Sequence, residues 1–145
     1  MITAVLVAHA ASTLMMAGLI WFVQLVHYPL FARLEPATAP AYEREHHVRT
    51  TWIVAPLMLT EAATAAYLVF LQPDGWRWSA TLIAFALLLL IWISTAFVQV
   101  PEHARLEKAF DAAAIRRLVL TNWIRTVAWT ARAGIALALL VRWGA

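Results

Sequence analysis

The chain has 145 residues, of which 63% are hydrophobic and 13% are charged. A soluble domain carries about 25% charged residues, so this composition indicates an integral membrane protein. The absence of cysteine excludes disulfides, thiolate metal sites and dithiol redox chemistry. The formal net charge of +3 is explained by basic residues between the apolar stretches, so no nucleic-acid partner is expected.

Four apolar stretches are each long enough to cross a bilayer, which takes about 20 residues. They cover residues 2–26, 51–71, 78–100 and 118–141. The first stretch lacks the basic n-region and the cleavage site of a signal peptide, so we expect it to be retained. The sequence therefore predicts an all-α, integral membrane four-helix bundle, with residues 1–145 forming a single four-span domain.

Polar side chains recur at helical spacing along the first span. His9, Gln24 and His27 lie on one predicted face, which is expected to look into the bundle. Pro29 is expected to kink or end this helix, because proline cannot continue a regular hydrogen-bonded turn.

The second and third helices are predicted to extend beyond the bilayer on the cytoplasmic side. Pro40 suits the first position of the second helix, and the polar segment AYEREHHVRT that follows is helical in pattern. After Pro101, the segment EHARLEKAF is amphipathic and prolongs the third helix. Asp111 is predicted to cap the fourth helix.

Two ionisable residues lie deep in apolar sequence, Glu61 in the second span and Arg132 in the fourth. At 1.5 Å per residue both are expected roughly 21 Å from the histidine-rich end. An ion pair across the bundle is the natural way to tolerate both charges. A proton relay is the alternative, and His9 is expected nearby.

The distribution of basic residues predicts the orientation. One end of the bundle carries Arg33, Arg44, Arg49, Arg105, Lys108, Arg116 and Arg117, and the other carries only Arg77, Arg142 and the N-terminal amine. Because cytoplasmic loops are rich in lysine and arginine, the first end is expected to face the cytoplasm. Both termini then lie outside a bacterial-type inner (plasma) membrane.

Threading through four spans should bring distant histidines to this same end, because every second connection returns to one side. The predicted metal ligands are His27, Glu43, His46, His47 and His103. Imidazole and carboxylate together suit iron, copper or zinc. The alternative is a set of interfacial histidines that hydrogen-bond to head groups and nearby acids. Neighbours on a helix point about 100° apart, so one of His46 and His47 faces inward; Glu43, three residues before His46, favours His46.

The fourth span presents Asn122 and Arg125 on one face. An arginine in a span is costly unless it pairs or reaches the interface. It either extends to the interface or faces inward, where it would bind a phenolate, carboxylate or quinone oxygen. Trp92, Trp129 and Gln99 are the predicted cofactor- or substrate-binding residues.

Three short motifs are similar to those of the anthrone oxygenase-like family of small four-helix membrane proteins. The family shows a proline that ends the first helix, Pro-x-Asn-x-x-Leu closing the third, and Asn or His before Arg-Thr in the fourth. The corresponding pieces are His27-Tyr28-Pro29, Pro101-Glu102-His103-Ala104-Arg105-Leu106 and Asn122-x-x-Arg125-Thr126. His103 stands where the family has asparagine. The resemblance implies oxidation of a polycyclic phenol by molecular oxygen.

The leading hypothesis is a membrane oxidoreductase or oxygenase that acts on a lipophilic aromatic or quinone-like substrate. Its histidines and Glu43 would form a metal site or an acid–base site at the cytoplasmic rim. Its predicted catalytic residues are His27, His103, Asn122 and Arg125. A second hypothesis is a non-enzymatic subunit that binds haem or a transition metal, and a third is a scaffold or assembly subunit. The expected partners are the lipid bilayer and a lipophilic small molecule; the oligomeric state is left open, a homo-oligomer included.

Overall fold

The computed structural model describes residues 1–143, and no strand occurs within that range. Each of its four helices is long and apolar enough to cross a membrane. These helices are α1 (Ile2–Phe31), α2 (Ala39–Phe70), α3 (Trp76–Leu106) and α4 (Ala112–Arg142). Helices adjacent in sequence pack side by side, and α4 closes the bundle against α1. The predicted all-α four-helix bundle is confirmed.

Helices α2 and α4 begin at the residues that the sequence predicted. Helix α2 begins at Ala39, with Pro40 in its first turn. The Asp111 carboxylate accepts hydrogen bonds from the backbone N–H groups of Ala113 and Ala114, at 2.8 and 3.1 Å, and so caps α4. The amides of Ala114 and Ala113 hold the pKa of Asp111 below its ordinary value. Helices α2 and α3 both continue well past their apolar stretches, as predicted.

Helices α1 and α3 each contain one π-helical turn shortly before a proline. The turn in α1 covers Val23–His27 and precedes Pro29, and the turn in α3 covers Thr95–Gln99 and precedes Pro101. Proline lacks an N–H group, and its ring clashes with the carbonyl four residues earlier in a regular α-helix. The wider turn accommodates the ring, so α1 continues to Phe31 instead of ending at its proline.

The π-helical turn of α1 changes which side chain faces the interior. Regular spacing from Gln24 placed His27 on the inward face. A π-helical turn takes in one extra residue, which rotates the following residues by about 100°. In the structure Tyr28 is 4% exposed, whereas His27 is only partly buried and lies beside α2. Tyr28 therefore occupies the interior position that regular periodicity assigned to His27.

The centre of the bundle is a buried ion pair between Glu61 and Arg132. Arg132 Nη2 lies 2.8 Å from Glu61 Oε1, and Arg132 Nε donates to the same oxygen at 3.0 Å. Thr13 of α1 also donates to Oε1, and Trp129 Nε1 donates to Oε2 at 3.1 Å. Arg132 Nη1 donates to the carbonyl of Ala84 in α3. The predicted pair is confirmed, and its hydrogen bonds reach all four helices.

His9 extends this buried network by one turn. Its Nδ1 lies 2.9 Å from the hydroxyl of Thr64 on α2. Thr64 follows Glu61 by three residues on the same helix, so His9 contacts the α2 face that carries the ion pair, as the sequence predicted.

The outer surface of the helices is apolar. Trp52, Phe70 and Phe97 are 79%, 84% and 77% exposed. A monomeric soluble protein rarely exposes so much continuous apolar surface. The surface is compatible with direct contact with lipid chains.

Replacing one member of the ion pair should destabilise the bundle more than replacing both. Arg132→Leu leaves a buried carboxylate without its cation, and breaking a buried pair in this way costs about 3–5 kcal/mol. The double variant Glu61→Leu/Arg132→Leu removes both charges and should recover a large part of that loss. The measurement is unfolding in mixed detergent micelles, followed by circular dichroism. Wild-type stability in Arg132→Leu would contradict the central role of the pair.

Candidate functional site

A cavity of about 420 Å³ lies inside the half of the bundle that carries the clustered histidines. Most of its wall is apolar and includes Met16, Ile20, Val54, Met58, Trp92 and Trp129. Its polar end includes Tyr28, His46, Thr95, Gln99, His103 and Arg125. Its size and its mixture of apolar wall and few polar groups are typical of small-molecule sites.

The cavity opens between α2 and α3. These two helices pack less closely against each other than the other neighbouring pairs do. Leu59 on α2 and Val100 on α3 both line the cavity, and they are 61% and 46% exposed on the outer surface. The cavity is therefore open to the outer surface of the bundle between these two helices.

Four histidines from three helices meet at one end of the bundle, as the threading argument predicted. His27 Nε2 lies 2.8 Å from His46 Nδ1. The rings of His46 and His47 lie 5.9 and 6.2 Å from that of His103, between centroids. The fifth histidine, His9, belongs to the other half of the bundle.

Three of the five predicted metal ligands form a compact group. Glu43, His46 and His103 each offer one ligand atom, and these atoms lie within 4.8 Å of one another. Ligands of a tetrahedral zinc ion lie about 3.3 Å apart, as bond lengths near 2.0–2.1 Å require, so the side chains would have to move to reach that spacing. His27 lies outside the group and contacts His46. His47 also lies outside, with its Nδ1 2.6 Å from Glu107 Oε1.

His103 is held on both sides of its ring. Its Nδ1 lies 2.5 Å from Glu43 Oε1, and its Nε2 lies 2.9 Å from the hydroxyl of Tyr28. The Tyr28 oxygen in turn accepts from Arg125 Nη2 at 3.3 Å. A continuous hydrogen-bonded chain therefore runs from the Glu43 carboxylate to the Arg125 guanidinium along the polar end of the cavity.

The donors and acceptors of this chain follow from its two charged ends. An ionised carboxylate only accepts and a guanidinium only donates. With Glu43 ionised, His103 carries its proton on Nδ1, and its Nε2 accepts from the Tyr28 hydroxyl. Tyr28 accepts from Arg125 through its remaining lone pair. Every member is satisfied with a neutral imidazole and a neutral phenol.

Arg125 faces inward and is only 8% exposed, so it does not extend to the interface. Its Nε and Nη2 donate to Asn122 Oδ1 at 2.9 and 2.6 Å, and its Nη1 donates to Thr95 Oγ1 at 3.3 Å. Asn122 is completely buried and donates through Nδ2 to Gln24 Oε1 at 2.8 Å. Asn122 therefore lies behind Arg125 and fixes the guanidinium, while Arg125 itself lines the cavity.

The three predicted binding residues Trp92, Trp129 and Gln99 all line the cavity. Trp129 is held by its hydrogen bond to Glu61. Gln99 donates through Nε2 to Thr121 Oγ1 at 3.0 Å. Its Oε1 is buried and has no hydrogen-bond partner among residues 1–143.

Tyr28 is the site residue that the sequence reasoning did not select. In the sequence it belongs to the motif His27-Tyr28-Pro29, and regular helical spacing predicts that its neighbour His27 faces inward. The available signal was the proline, because a π-helical turn is one of the ways in which a helix accommodates it. The extra residue in that turn moves Tyr28 into the bundle.

Over residues 1–143 the chain is an all-helical bundle of membrane-crossing length with a mostly apolar cavity. Comparison of the chain with protein-family models, curated proteins and solved structures gives no match. The resemblance to the anthrone oxygenase-like family therefore stays a prediction that rests on its three short motifs.

Asn122→Ala should destabilise the bundle through the groups that it leaves behind. Gln24 and Arg125 would each lose a buried partner, which costs about 1–3 kcal/mol per group. Ser12→Ala is the matched control, because the Ser12 hydroxyl is buried but donates only to carbonyls of its own helix. The measurement is unfolding in mixed micelles. Equal stability of the two variants would contradict the role given to Asn122.

Proposed function

We propose that this protein is a membrane oxidoreductase or oxygenase that binds a lipophilic aromatic or quinone-like substrate in the cavity. One observation carries the proposal: a mostly apolar cavity, open laterally between α2 and α3, ends at the chain of Glu43, His103, Tyr28 and Arg125. The apolar wall suits a hydrophobic ring, and the polar end suits an oxygen substituent that loses a proton.

The lining residues support a defined orientation for the substrate. Its ring would lie among Trp92, Trp129 and Met58, where aromatic and thioether side chains give close apolar contact. Its hydroxyl would face the polar end, where Tyr28, His103 and Arg125 line the cavity. Arg125 supplies a fixed positive charge at the position where an oxyanion develops.

The proposed chemistry begins with removal of a proton from the substrate hydroxyl. The Glu43–His103 pair supplies the base, since the carboxylate stabilises the imidazolium that forms. The resulting anion loses electrons more readily than the neutral hydroxyl. For a hydroquinone, two electrons and two protons then pass to molecular oxygen, giving the quinone and hydrogen peroxide.

A second candidate function is supported by the compact group of Glu43, His46 and His103. Imidazole and carboxylate ligands suit iron, copper or zinc, and two histidines from different helices could ligate a haem. The protein would then be a membrane subunit that carries electrons or delivers a metal ion. The scaffold hypothesis is what is left if neither turnover nor a bound metal is found.

We infer that the histidine end faces the cytoplasm of a bacterial-type inner membrane, with both termini outside. Support comes from the basic residues around that end. Arg44 donates to the carbonyl of Glu107, and Arg105 and Arg117 both donate to Glu102, so three basic side chains surround the connections there. Positive charge of this kind marks cytoplasmic loops.

A bulky residue at the cavity should block turnover. Ala96 lines the cavity on α3, whereas Ala86, on the same helix, is exposed and does not contribute to it. With a decyl-substituted benzohydroquinone in detergent micelles, wild-type protein should consume oxygen above the protein-free rate. Ala96→Trp should lower that rate at least about tenfold, since misplacing a substrate by 1 Å can cost roughly a hundredfold. Ala86→Trp should keep it.

Two outcomes of the oxygen-electrode measurement would contradict the enzymatic proposal. One is wild-type protein that consumes no oxygen with this class of hydroquinone. The other is an Ala96→Trp variant as active as Ala86→Trp, because catalysis would then lie outside the cavity.

The metal candidate predicts stoichiometric binding that depends on the compact group. His103→Ala should abolish bound metal. Glu43→Gln should weaken binding by more than about tenfold, because loss of an outer-shell partner alone costs at least that much. Glu45→Gln is the control, because Glu45 is an exposed carboxylate on the same helix that pairs with Arg49. Bound metal is measured by elemental analysis and by cobalt(II) absorption, and a Soret band would reveal a haem. Full metal content in His103→Ala would contradict this candidate.

A further inference from the structure

We propose that the Tyr28 hydroxyl is the group that exchanges a proton with the oxygen of a phenolic ligand in the cavity. This inference deepens the proposed function and rests on it for the class of ligand. It makes Tyr28 a catalytic residue, with His103 and Glu43 acting through it. The ligand class is an uncharged, lipophilic phenol or hydroquinone.

The position of Tyr28 carries the first part of the inference. Its hydroxyl lies 2.9 Å from His103 Nε2 and 3.3 Å from Arg125 Nη2. Tyr28 is one of the residues that line the cavity, although it is only 4% exposed. A proton acceptor and a positive charge thus flank one phenolic oxygen. A purely structural tyrosine needs one hydrogen-bond partner to be satisfied, and this one has two of complementary character.

The backbone of α1 is shaped to place the hydroxyl there. The N–H of Tyr28 donates to the carbonyl of Val23, five residues earlier, and closes the π-helical turn. Such turns occur frequently at functional sites. Pro29 follows directly, so the local sequence maintains the turn that directs Tyr28 into the bundle.

The proton balance of the step is closed without a redox partner. The Tyr28 proton moves to His103 Nε2, and the imidazolium is stabilised by Glu43 at Nδ1. The substrate O–H bond then breaks, and its proton restores the Tyr28 hydroxyl. The substrate is left as an anion near Arg125, and one proton has passed from the ligand to His103.

Arg125 gives this exchange its direction. Its guanidinium contacts Tyr28 and also bonds to Asn122 and Thr95, which fix it in place. A fixed cation stabilises negative charge on either oxygen, that of Tyr28 or that of the ligand. The ligand stays bound when it ionises, because the Arg125 guanidinium at the polar end attracts the negative charge that the ligand acquires.

The test uses a chromophoric phenol, a 4-nitrophenol bearing an alkyl chain, whose neutral and anionic forms absorb at different wavelengths. Wild-type protein in micelles containing EDTA should bind the probe and convert it to the phenolate at a pH where free probe in micelles is neutral. Tyr28→Phe should bind the probe within about threefold of wild type, by tryptophan quenching, but leave it neutral. Its turnover of a hydroquinone should fall about a hundredfold, within the usual range for general acid–base groups.

Two further variants complete the experiment. Tyr42→Phe is the matched control, because Tyr42 is 43% exposed and does not line the cavity; it should ionise the probe as wild type does. Glu43→Gln retains the tyrosine but weakens the base behind it, so the phenolate fraction should fall. If Tyr28→Phe does not fold, the phenolate fraction in Glu43→Gln is the measurement that tests the inference.

The outcomes separate this inference from the proposed function. Ionisation of the probe that depends on Tyr28, without any oxygen consumption, supports the proton exchange and overturns the proposed oxidation. An unchanged phenolate band in Tyr28→Phe, or in Glu43→Gln where that variant alone folds, overturns the inference and leaves the oxidation standing. Wild-type protein that binds the probe only in its neutral form also overturns the inference. A failure of wild-type protein to bind the probe overturns both.

Discussion

The Glu61–Arg132 pair is the constraint on which the rest of the bundle depends. Inside a bilayer the hydrophobic effect does not drive helices together, because lipid chains are as apolar as the side chains they would replace. Close packing and interhelical polar contacts must do so. This one ion pair reaches α1 through Thr13 and α3 through the carbonyl of Ala84. It also holds the Trp129 indole, so the contact that assembles the bundle fixes part of the cavity wall.

The other half of the bundle is organised by two prolines. Pro29 in α1 and Pro101 in α3 each follow a π-helical turn, and these helices lie diagonally across the bundle. The wider turns bring Tyr28 and Gln99 to the polar end of the cavity. The half that holds the ion pair and the half that holds the cavity are therefore built differently. The first uses regular helices joined by an ion pair, and the second uses locally widened helices that leave space.

Much of this architecture could be predicted from the sequence. The length of the apolar stretches predicted the four membrane-crossing helices. The equal depth of Glu61 and Arg132 along their helices predicted the ion pair. Because every second connection returns to the same side of the bundle, four histidines were expected at one end. Periodicity failed at His27, because it assumes 3.6 residues per turn and cannot locate the extra residue of a π-helical turn. The different roles of Asn122 and Arg125 could not be predicted either, because both lie on the same face of α4. Only the packing of α1 shows that Asn122 holds the Arg125 guanidinium in place and that Arg125 lines the cavity.

The two candidate functions compete for the same imidazole. Both His103 nitrogens are already engaged, Nδ1 by Glu43 and Nε2 by Tyr28. A metal bound to either nitrogen takes its lone pair and displaces that hydrogen bond. If the metal takes Nδ1, then Nε2 carries the proton and donates to Tyr28, so the imidazole no longer accepts a proton from the phenol. If it takes Nε2, the contact with Tyr28 is lost. A metal on His103 and a proton relay through Tyr28 therefore exclude each other.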